Sequence, residues 1–143
     1  MSTIADELSQ IAEENEGILR PEDVVKFAEN PKTALHNKFE WDNKKAGFEY
    51  RLIQARHIIV DVKIEYPNNG ETQAWISIVS DRKEPGGGYR LILDVMSDKE
   101  RRKELLVQLK KEIKSLQKKY ALFKELAEAF DGLNKAIDEV KNS

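Results

Sequence analysis

A repeat of apolar residues over the last third of the chain constrains the fold more than any other feature of the sequence. When Leu106 is assigned to heptad position a, the a and d positions hold Leu106, Leu109, Ile113, Leu116, Tyr120, Phe123, Ala127, Phe130, Asn134 and Ile137. Nine of these ten residues are apolar, which is typical of a helix that buries one face along its length. Ser97, with Glu100 three residues later, provides a capping box for its start. The pattern predicts a long heptad-patterned C-terminal helix, or a helical hairpin that turns at Asp131-Gly132.

The length of this predicted helix has a consequence for assembly. A helix from Asp98 to about Phe130 would be roughly 50 Å long, at about 1.5 Å per residue. A small sheet is narrower than that, so part of the apolar stripe needs another cover. The regular heptad favours a second copy of the chain, and we expect a homodimer or a higher oligomer. The residues predicted to form this contact are Leu109, Ile113, Leu116, Tyr120 and Phe123.

The middle of the chain has the two-residue period of β-strands. Apolar and charged residues alternate over residues 58–66, and Asn69-Gly70 is a favoured pair for a tight hairpin turn. A second alternating run covers residues 72–80, and a third covers residues 89–95 after a glycine-rich loop. These three runs predict a three-stranded antiparallel meander.

The first third of the chain predicts short helices. Residues 2–16 have apolar residues at helical spacing and are followed by Gly17, and residues 21–29 begin with a proline. Asp42 is a candidate cap for a third helix that begins near Asn43. We therefore expect one α+β domain over residues 1–143. Its parts are a helical N-terminal region (1–56), the meander (57–96) and the C-terminal helix or helices (97–141).

Charge is distributed unevenly along the chain, although the net charge of the 143 residues is only −2. Residues 1–30 contain eight acids and two bases, whereas residues 99–119 contain nine bases and three acids. Basic residues on a helix usually lie on a solvent-exposed face. They also permit salt-dependent binding to nucleic acid, or contact with the acidic segment at residues 1–30. The residues predicted to bind nucleic acid are Lys44, Lys45, Arg51, Arg56, Lys103, Lys110 and Lys114.

Few residues are suited to catalysis or metal binding. The chain has no cysteine, which excludes zinc fingers, iron–sulfur clusters and thiol nucleophiles. His36 and His57 each have an acid four residues later, but neither lies in an HExxH motif. We interpret both histidines as structural and expect no catalytic residue, no metal and no cofactor. The glycines at 86–88 precede a predicted strand, whereas a Walker-type phosphate loop precedes a helix. We expect these glycines to form a hairpin loop or a loop that contacts a partner.

Aromatic, histidine, acidic and arginine side chains are concentrated in the segment "ALHNKFEWDNKKAGFEYRLIQARHII" at residues 34–59. Phe39 and Trp41 precede the Asp42 cap, where apolar residues can fix the entry of a helix to the core. Most of the segment is therefore interpreted as a folding device, and its polar remainder as a recognition surface. The residues predicted to contact a partner are Trp41, Gln54, Gly87, Tyr89 and Arg90.

The motifs "LHNKFEW" and "YRLIQAR", with "GGGYR" and "LDVMSDKERRKELL" further on, resemble an uncharacterised family of small proteins encoded by tailed phages and prophages. The resemblance covers most of residues 19–130. It implies a non-enzymatic phage role and supplies no catalytic residue. We expect a nucleic-acid-binding or regulatory oligomer. Alternatives are a protein-interaction or assembly module, such as a small-terminase-like packaging component or an inhibitor of a host protein, and thirdly a metal-dependent hydrolase.

The expected location is the cytoplasm, that of the host cell if the protein is phage-encoded. The N-terminus "MSTIADELSQ" has acids where a signal peptide has bases, and no apolar run approaches the roughly 18 residues that span a bilayer. We therefore expect no membrane contact.

Overall fold

The computed structural model of the protein describes residues 2–43, 47–68, 70–83 and 87–142. The chain forms two compact units, residues 1–94 and residues 95–143. The first unit contains helices and short antiparallel strands, and the second contains helices. The predicted α+β class is therefore confirmed.

The first two helices follow the sequence pattern closely. α1 (Ile4–Glu14) begins with a capping box in which the Thr3 hydroxyl accepts from the Asp6 N–H and the Asp6 carboxylate accepts from the Thr3 N–H. Gly17, at φ 86°, has the left-handed conformation that ends many helices. α2 (Pro21–Ala28) places its proline in the first turn, where no N–H is required.

The third helix begins and ends later than predicted. α3 (Phe48–Asp61) has Gly47 as its N-cap, so the predicted start near Asn43 is wrong. The N–H of Asp42 instead donates to the Glu40 carboxylate within the preceding loop. Residues 58–61 belong to α3 and not to a strand, because the helical period that buries Ala55 also buries Ile59. Tyr50 and Ile53, which lie on another side of this helix, are exposed.

The predicted three-stranded meander is not confirmed, because the described residues form two separate antiparallel sheets of two strands. β1 (Lys63–Tyr66) pairs with β2 (Gly70–Gln73), and β3 (Trp75–Ile76) pairs with β4 (Arg90–Leu91). Ala74 lies between the two sheets: its N–H donates to Val62 and its carbonyl accepts from Ile92. The chain through Ala74 thus exchanges one partner strand for another.

Helical turns replace the outer parts of two predicted strands. α4 (Val79–Arg82) follows β3, and α5 (Ile92–Ser97) follows β4 directly. A bridge between Leu19 and Tyr89 extends the contacts of the second sheet to the segment that precedes α2. This bridge brings the start of α2 beside the glycine-containing segment that leads into β4.

The core of the first unit combines the three N-terminal helices with β3. Its fully buried side chains include Leu8, Leu19, Val24, Leu35, Ala55, Ile59 and Trp75. Glu7 is also buried, and its carboxylate accepts from the N–H groups of Ala34 and Leu35, each at 2.9 Å, and from the Ser2 hydroxyl. A buried carboxylate is tolerated when its oxygens receive hydrogen bonds in this way. Glu7 thereby joins α1 to the loop that follows α2.

The second unit contains a helical hairpin, one of the two architectures left open by the sequence. α6 (Lys99–Lys119) is capped by the Asp98 carboxylate, not by Ser97. The chain reverses over residues 120–126, and α7 (Ala127–Lys141) follows. The predicted break at Asp131-Gly132 is wrong, because both residues lie inside α7. The N–H of Tyr120 closes α6 on Leu116, and the following turn is tightened by 3₁₀-type hydrogen bonds.

Candidate functional site

The aromatic cluster of residues 36–41 is an internal structural element. The rings of His36 and Trp41 are stacked, with centroids 5.0 Å apart and planes 10° apart. His36 Nδ1 lies 2.7 Å from the Ala28 carbonyl oxygen, and the Trp41 indole N–H donates to the His36 carbonyl at 2.8 Å. Phe39 packs at a tilted angle against Trp41. These contacts fix the loop after α2 against the core.

Two polar residues predicted to bind partners are used to hold this same loop. The Arg51 guanidinium lies 5.2 Å from the centroid of the Trp41 ring and donates to the Glu40 carbonyl and the Asn43 side chain. The Gln54 carbonyl oxygen accepts from the Glu40 N–H at 3.3 Å. Arg51, Gln54 and Trp41 therefore form one network between α3 and residues 36–43. Lys44 and Lys45 lie outside the described residues.

Another predicted residue of α3, Arg56, has a different environment. It is exposed and makes no hydrogen bond or ion pair with any described residue. It lines a cleft of about 490 Å³ in the first unit. The described residues that line this cleft, here called the arginine cleft, are Pro21, Arg56, Ser77, Arg82, Gly87, Gly88 and Tyr89.

The walls of the arginine cleft are held in place by internal contacts. Arg82 donates from Nε to the Ser77 hydroxyl and from Nη2 to the Ser77 carbonyl, at 3.2 and 2.9 Å. Gly88 is buried, and a Cβ at this position would lie 2.7 Å from the Ile18 side chain. Only glycine allows the backbone to approach Ile18 this closely. The cleft therefore has a backbone wall on one side and a restrained guanidinium on the other.

Arg90 lies beside this region but has an internal partner. It donates from Nε and Nη2 to the two carboxylate oxygens of Asp81, at 2.9 and 3.1 Å. Both side chains are largely buried, with 12% and 7% of their surfaces exposed. This bidentate pair joins α4 to β4. It positions the chain on both sides of the loop that carries Gly87.

The basic residues of the second unit lie on α6. Lys110 is paired with Asp138 of α7, and this hydrogen bond, with further attraction from lysines, lowers the pKa of the Asp138 carboxyl. Asn134 of α7 lies at 3.5 Å from Gln117 of α6. Of the nine cations in residues 99–119, seven make no ion pair with a described residue. Lys103 and Lys114 are among these seven.

The apolar residues of the hairpin are mostly uncovered. Ile137 is buried, with 5% exposed, but Leu109, Leu116, Tyr120 and Phe123 are each between 39% and 54% exposed. Ile113, the fifth residue of the predicted contact, is half-buried. Further exposed apolar residues in this unit are Val107, Leu122, Leu126, Leu133 and Val140. The heptad positions thus do not form one buried stripe within a single chain.

Sequence reasoning identified Arg56, Gly87 and Tyr89 but assigned them to different surfaces, and it missed Arg82, Ser77 and Gly88 as members of one cleft. The pattern Ser77-x-x-x-x-Arg82 carries a local signal, because an arginine five residues after a serine can close a short helical turn. The approach of Gly88 to Ile18 joins distant parts of the chain. No local pattern identifies such a contact.

Within the described ranges, no three residues of the His, Cys, Asp and Glu types are placed together where a metal ion could be held. None of the helices in the same ranges has the length and hydropathy required to span a bilayer.

Comparisons of the chain with protein-family models, curated proteins and solved structures find no match. The resemblance to a phage-encoded family therefore stays a prediction.

Proposed function

We propose that this chain is a non-catalytic nucleic-acid-binding protein that acts as an oligomer, in a regulatory role in the cytoplasm. A phage or prophage origin enters this proposal from the motif resemblance alone. The observation that carries the proposal is the set of cations on α6 that form no ion pair with a described residue. A lysine that has no acidic partner is available to neutralise a phosphate, and each such contact releases a counterion from the nucleic acid.

The positions of these cations favour one binding face. Lys103, Lys114 and Lys118 are separated by 11 and four residues, so they lie on one side of a helix with 3.6 residues per turn. Lys110 lies near the same side, but its ammonium is paired with Asp138. We call Lys103, Lys114 and Lys118 the lysine face. Phosphate contacts of this kind give affinity without sequence specificity, so the expected binding is general for nucleic acid.

Self-association follows from the exposed apolar residues of the same hairpin. Two helices that leave Leu116 and Phe123 about half exposed have not completed a core. A second hairpin would complete it as a four-helix bundle. The charges also agree, because residues 99–119 carry +6 and residues 127–141 carry four acids against two bases. An antiparallel dimer would place α6 of one copy beside α7 of the other.

The test of nucleic-acid binding is fluorescence anisotropy with a labelled duplex at several salt concentrations. We expect affinity to fall steeply with salt. Replacing Lys103, Lys114 and Lys118 by Gln should reduce the slope of log K against log salt by about 3, roughly one per lost phosphate contact.

The matched control replaces three exposed lysines of the first unit, Lys32, Lys38 and Lys63, by Gln. It changes the net charge equally, so a general effect of charge would alter both triple variants alike. Equal slopes for the native protein and the lysine-face variant would contradict the proposal.

The alternative function, a protein-interaction or assembly module, is favoured by the exposed apolar residues alone. Light scattering tests self-association separately from nucleic-acid binding. A mass of 16.5 kDa at tens of micromolar would reject self-association. If the native protein is an oligomer, Leu116→Asp with Phe123→Asp should return it to monomers. An oligomer that binds no duplex at low salt would leave the assembly module as the better account.

A further inference from the structure

The arginine cleft has a positive charge that its described lining residues do not neutralise. Arg56 and Arg82 are the charged residues among its described lining, and neither forms an ion pair with a described residue. The carboxylate of Asp81 is occupied by Arg90. Glu22 and Asp23 follow Pro21 in the first turn of α2, where the helix dipole favours them. The lining side chains therefore favour an anion over a cation or a neutral molecule.

The guanidinium groups are suited to an oxyanion. Arg82 is held by Ser77 through Nε and Nη2, and its Nη1 donates to no described residue. The donors of Arg56 make no hydrogen bond with a described residue. The Cγ of Arg20 lies 3.9 Å from the position that a Cβ on Gly88 would occupy, so the stem of a third arginine passes beside this wall of the cleft. A guanidinium offers donors in a planar fork that matches the oxygens of phosphate or carboxylate.

The volume of the cleft and the apolar part of its lining restrict the class of ligand that it can bind. A volume of about 490 Å³ lies within the range of small-molecule sites and exceeds what one inorganic anion fills. Pro21 and the half-buried Tyr89 supply apolar surface beside the arginines. Two cations match a doubly charged group better than a singly charged carboxylate. A phosphate monoester with a small organic part meets all of these requirements.

We propose that the arginine cleft binds a small phosphorylated molecule, with the phosphate between Arg56 and Arg82 and the organic part against Pro21 and Tyr89. The cleft lies entirely within the first unit, whereas the lysine face lies in the second. The proposal is therefore independent of nucleic-acid binding by α6, and the failure of either leaves the other intact.

The experiment is an NMR titration of the ¹⁵N-labelled full chain with inorganic phosphate, at near-neutral pH and at an ionic strength held constant with chloride. We expect saturable shifts at Ser77, Gly87, Gly88 and the side-chain Nε of Arg82. A nucleoside 5′-monophosphate should produce the same shifts with higher affinity, and the corresponding nucleoside should produce none. Acetate that bound as tightly as phosphate would overturn the assignment of the ligand class.

Two arginine variants test whether phosphate binds in the arginine cleft. Arg56→Gln and Arg82→Gln should each weaken phosphate binding about tenfold, the usual scale for losing a hydrogen bond to a charged group. Lys63→Gln, an exposed cation on β1, is the matched control and should leave the affinity unchanged. Arg82→Gln also removes the contacts to Ser77, so Arg56→Gln, which removes no internal hydrogen bond, is decisive. Unchanged affinity in Arg56→Gln would overturn the proposal.

A final arm distinguishes free phosphomonoesters from nucleic-acid ends. A single-stranded oligonucleotide with a 5′-phosphate is titrated into the lysine-face variant, which removes the competing surface on α6. We expect the mononucleotide to shift the cleft residues at lower concentration than the oligonucleotide does. The opposite order would overturn the small-ligand assignment, because it would identify the cleft as a site for a nucleic-acid terminus.

Discussion

The two units of the chain use their side chains in opposite ways. In the first unit, polar residues such as Glu7, Arg51 and Asp81 make internal hydrogen bonds, and large apolar side chains such as Trp75 are buried. In the second unit, Leu116 and Phe123 remain about half exposed, while most cations of α6 form no ion pair with a described residue. The difference teaches that the named side chains of the first unit serve its fold, whereas those of the hairpin stay on the surface of the single chain. The first unit has a core of fully buried side chains although Phe48, Tyr50 and Ile53 are exposed, whereas Ile137 is the one buried side chain among the described residues of α6 and α7.

Internal partners also give similar basic residues different roles. Arg51 and Arg90 are basic, but each is bonded to nearby loop or sheet residues and contributes to the fold. Arg56 and Lys103 are basic and form no hydrogen bond or ion pair with a described residue. A list of basic residues therefore predicts binding poorly until internal partners are known.

The largest expected effect on the first unit comes from its buried ion pair. Asp81→Asn leaves the Arg90 guanidinium buried without a carboxylate, and we expect the free energy of unfolding to fall by about 3–5 kcal/mol. Chemical denaturation measures this loss. The double variant Asp81→Asn with Arg90→Gln should be less destabilised than the single one, since it buries no unpaired charge. Additive losses would show that the two side chains act separately.

Equal truncations in the two units test the comparison directly. Leu8→Ala removes a fully buried side chain and should cost about 3 kcal/mol at any protein concentration. Leu116→Ala removes a side chain that is 44% exposed in one chain. Under the proposed dimer its cost should depend on concentration, because dissociated chains have already lost the contact. A loss at Leu116 that equals that at Leu8 at every concentration would remove the distinction between the units.

The aromatic loop offers a smaller effect. Trp41→Ala should cost about 2–3 kcal/mol, because the half-buried ring packs against His36 and Phe39. Trp41→Phe keeps a ring but loses the hydrogen bond to the His36 carbonyl, and should cost about 1 kcal/mol. Chemical denaturation of both variants measures the cost of losing the ring and the cost of losing the hydrogen bond. A cost for Trp41→Ala below about 0.5 kcal/mol would make the ring a binding surface and not a folding device.

The smallest expected effect concerns the pair between α6 and α7. Lys110 lowers the pKa of Asp138 in the folded chain, so the pair stabilises the hairpin at neutral pH. This contribution is lost as the pH falls through the lowered folded-state pKa, when the carboxylate becomes protonated. NMR titration of the Asp138 carboxyl should show its pKa rising in Lys110→Met. Lys111→Met, an exposed neighbour, is the control and should leave that pKa in place.

The parts of the fold that follow local patterns were predictable. The stop after α1 and the start of α2 were predicted because Gly17 and Pro21 act on the backbone beside them. The α+β class followed from the change of period along the chain. The end of α3 was not predicted, because the alternating residues of 58–61 also satisfy a helical period, and burial of Ile59 against the core decides between them.

The parts that depend on distant residues were not predictable. The sheet divides at Ala74 because its N–H and carbonyl bond different segments, and the turn of the hairpin lies at residues 120–126 although Asp131-Gly132 is the stronger local break. In the site, Arg56 was named from its charge alone. Its placement with Arg82 and Gly88 depends on how α3, α4 and the Leu19–Tyr89 bridge meet.

The hydrogen bonds accepted by Glu7 also determine when part of the chain can exchange its amide hydrogens with solvent. Ala34 and Leu35 donate their N–H groups to a side chain on α1, 27 and 28 residues away. Their protection therefore reports the docking of a distant helix and not the order of their own loop. In hydrogen–deuterium exchange, these two amides should exchange at the rate at which α1 undocks, and Glu7→Gln should accelerate them well before it accelerates the amides within α2.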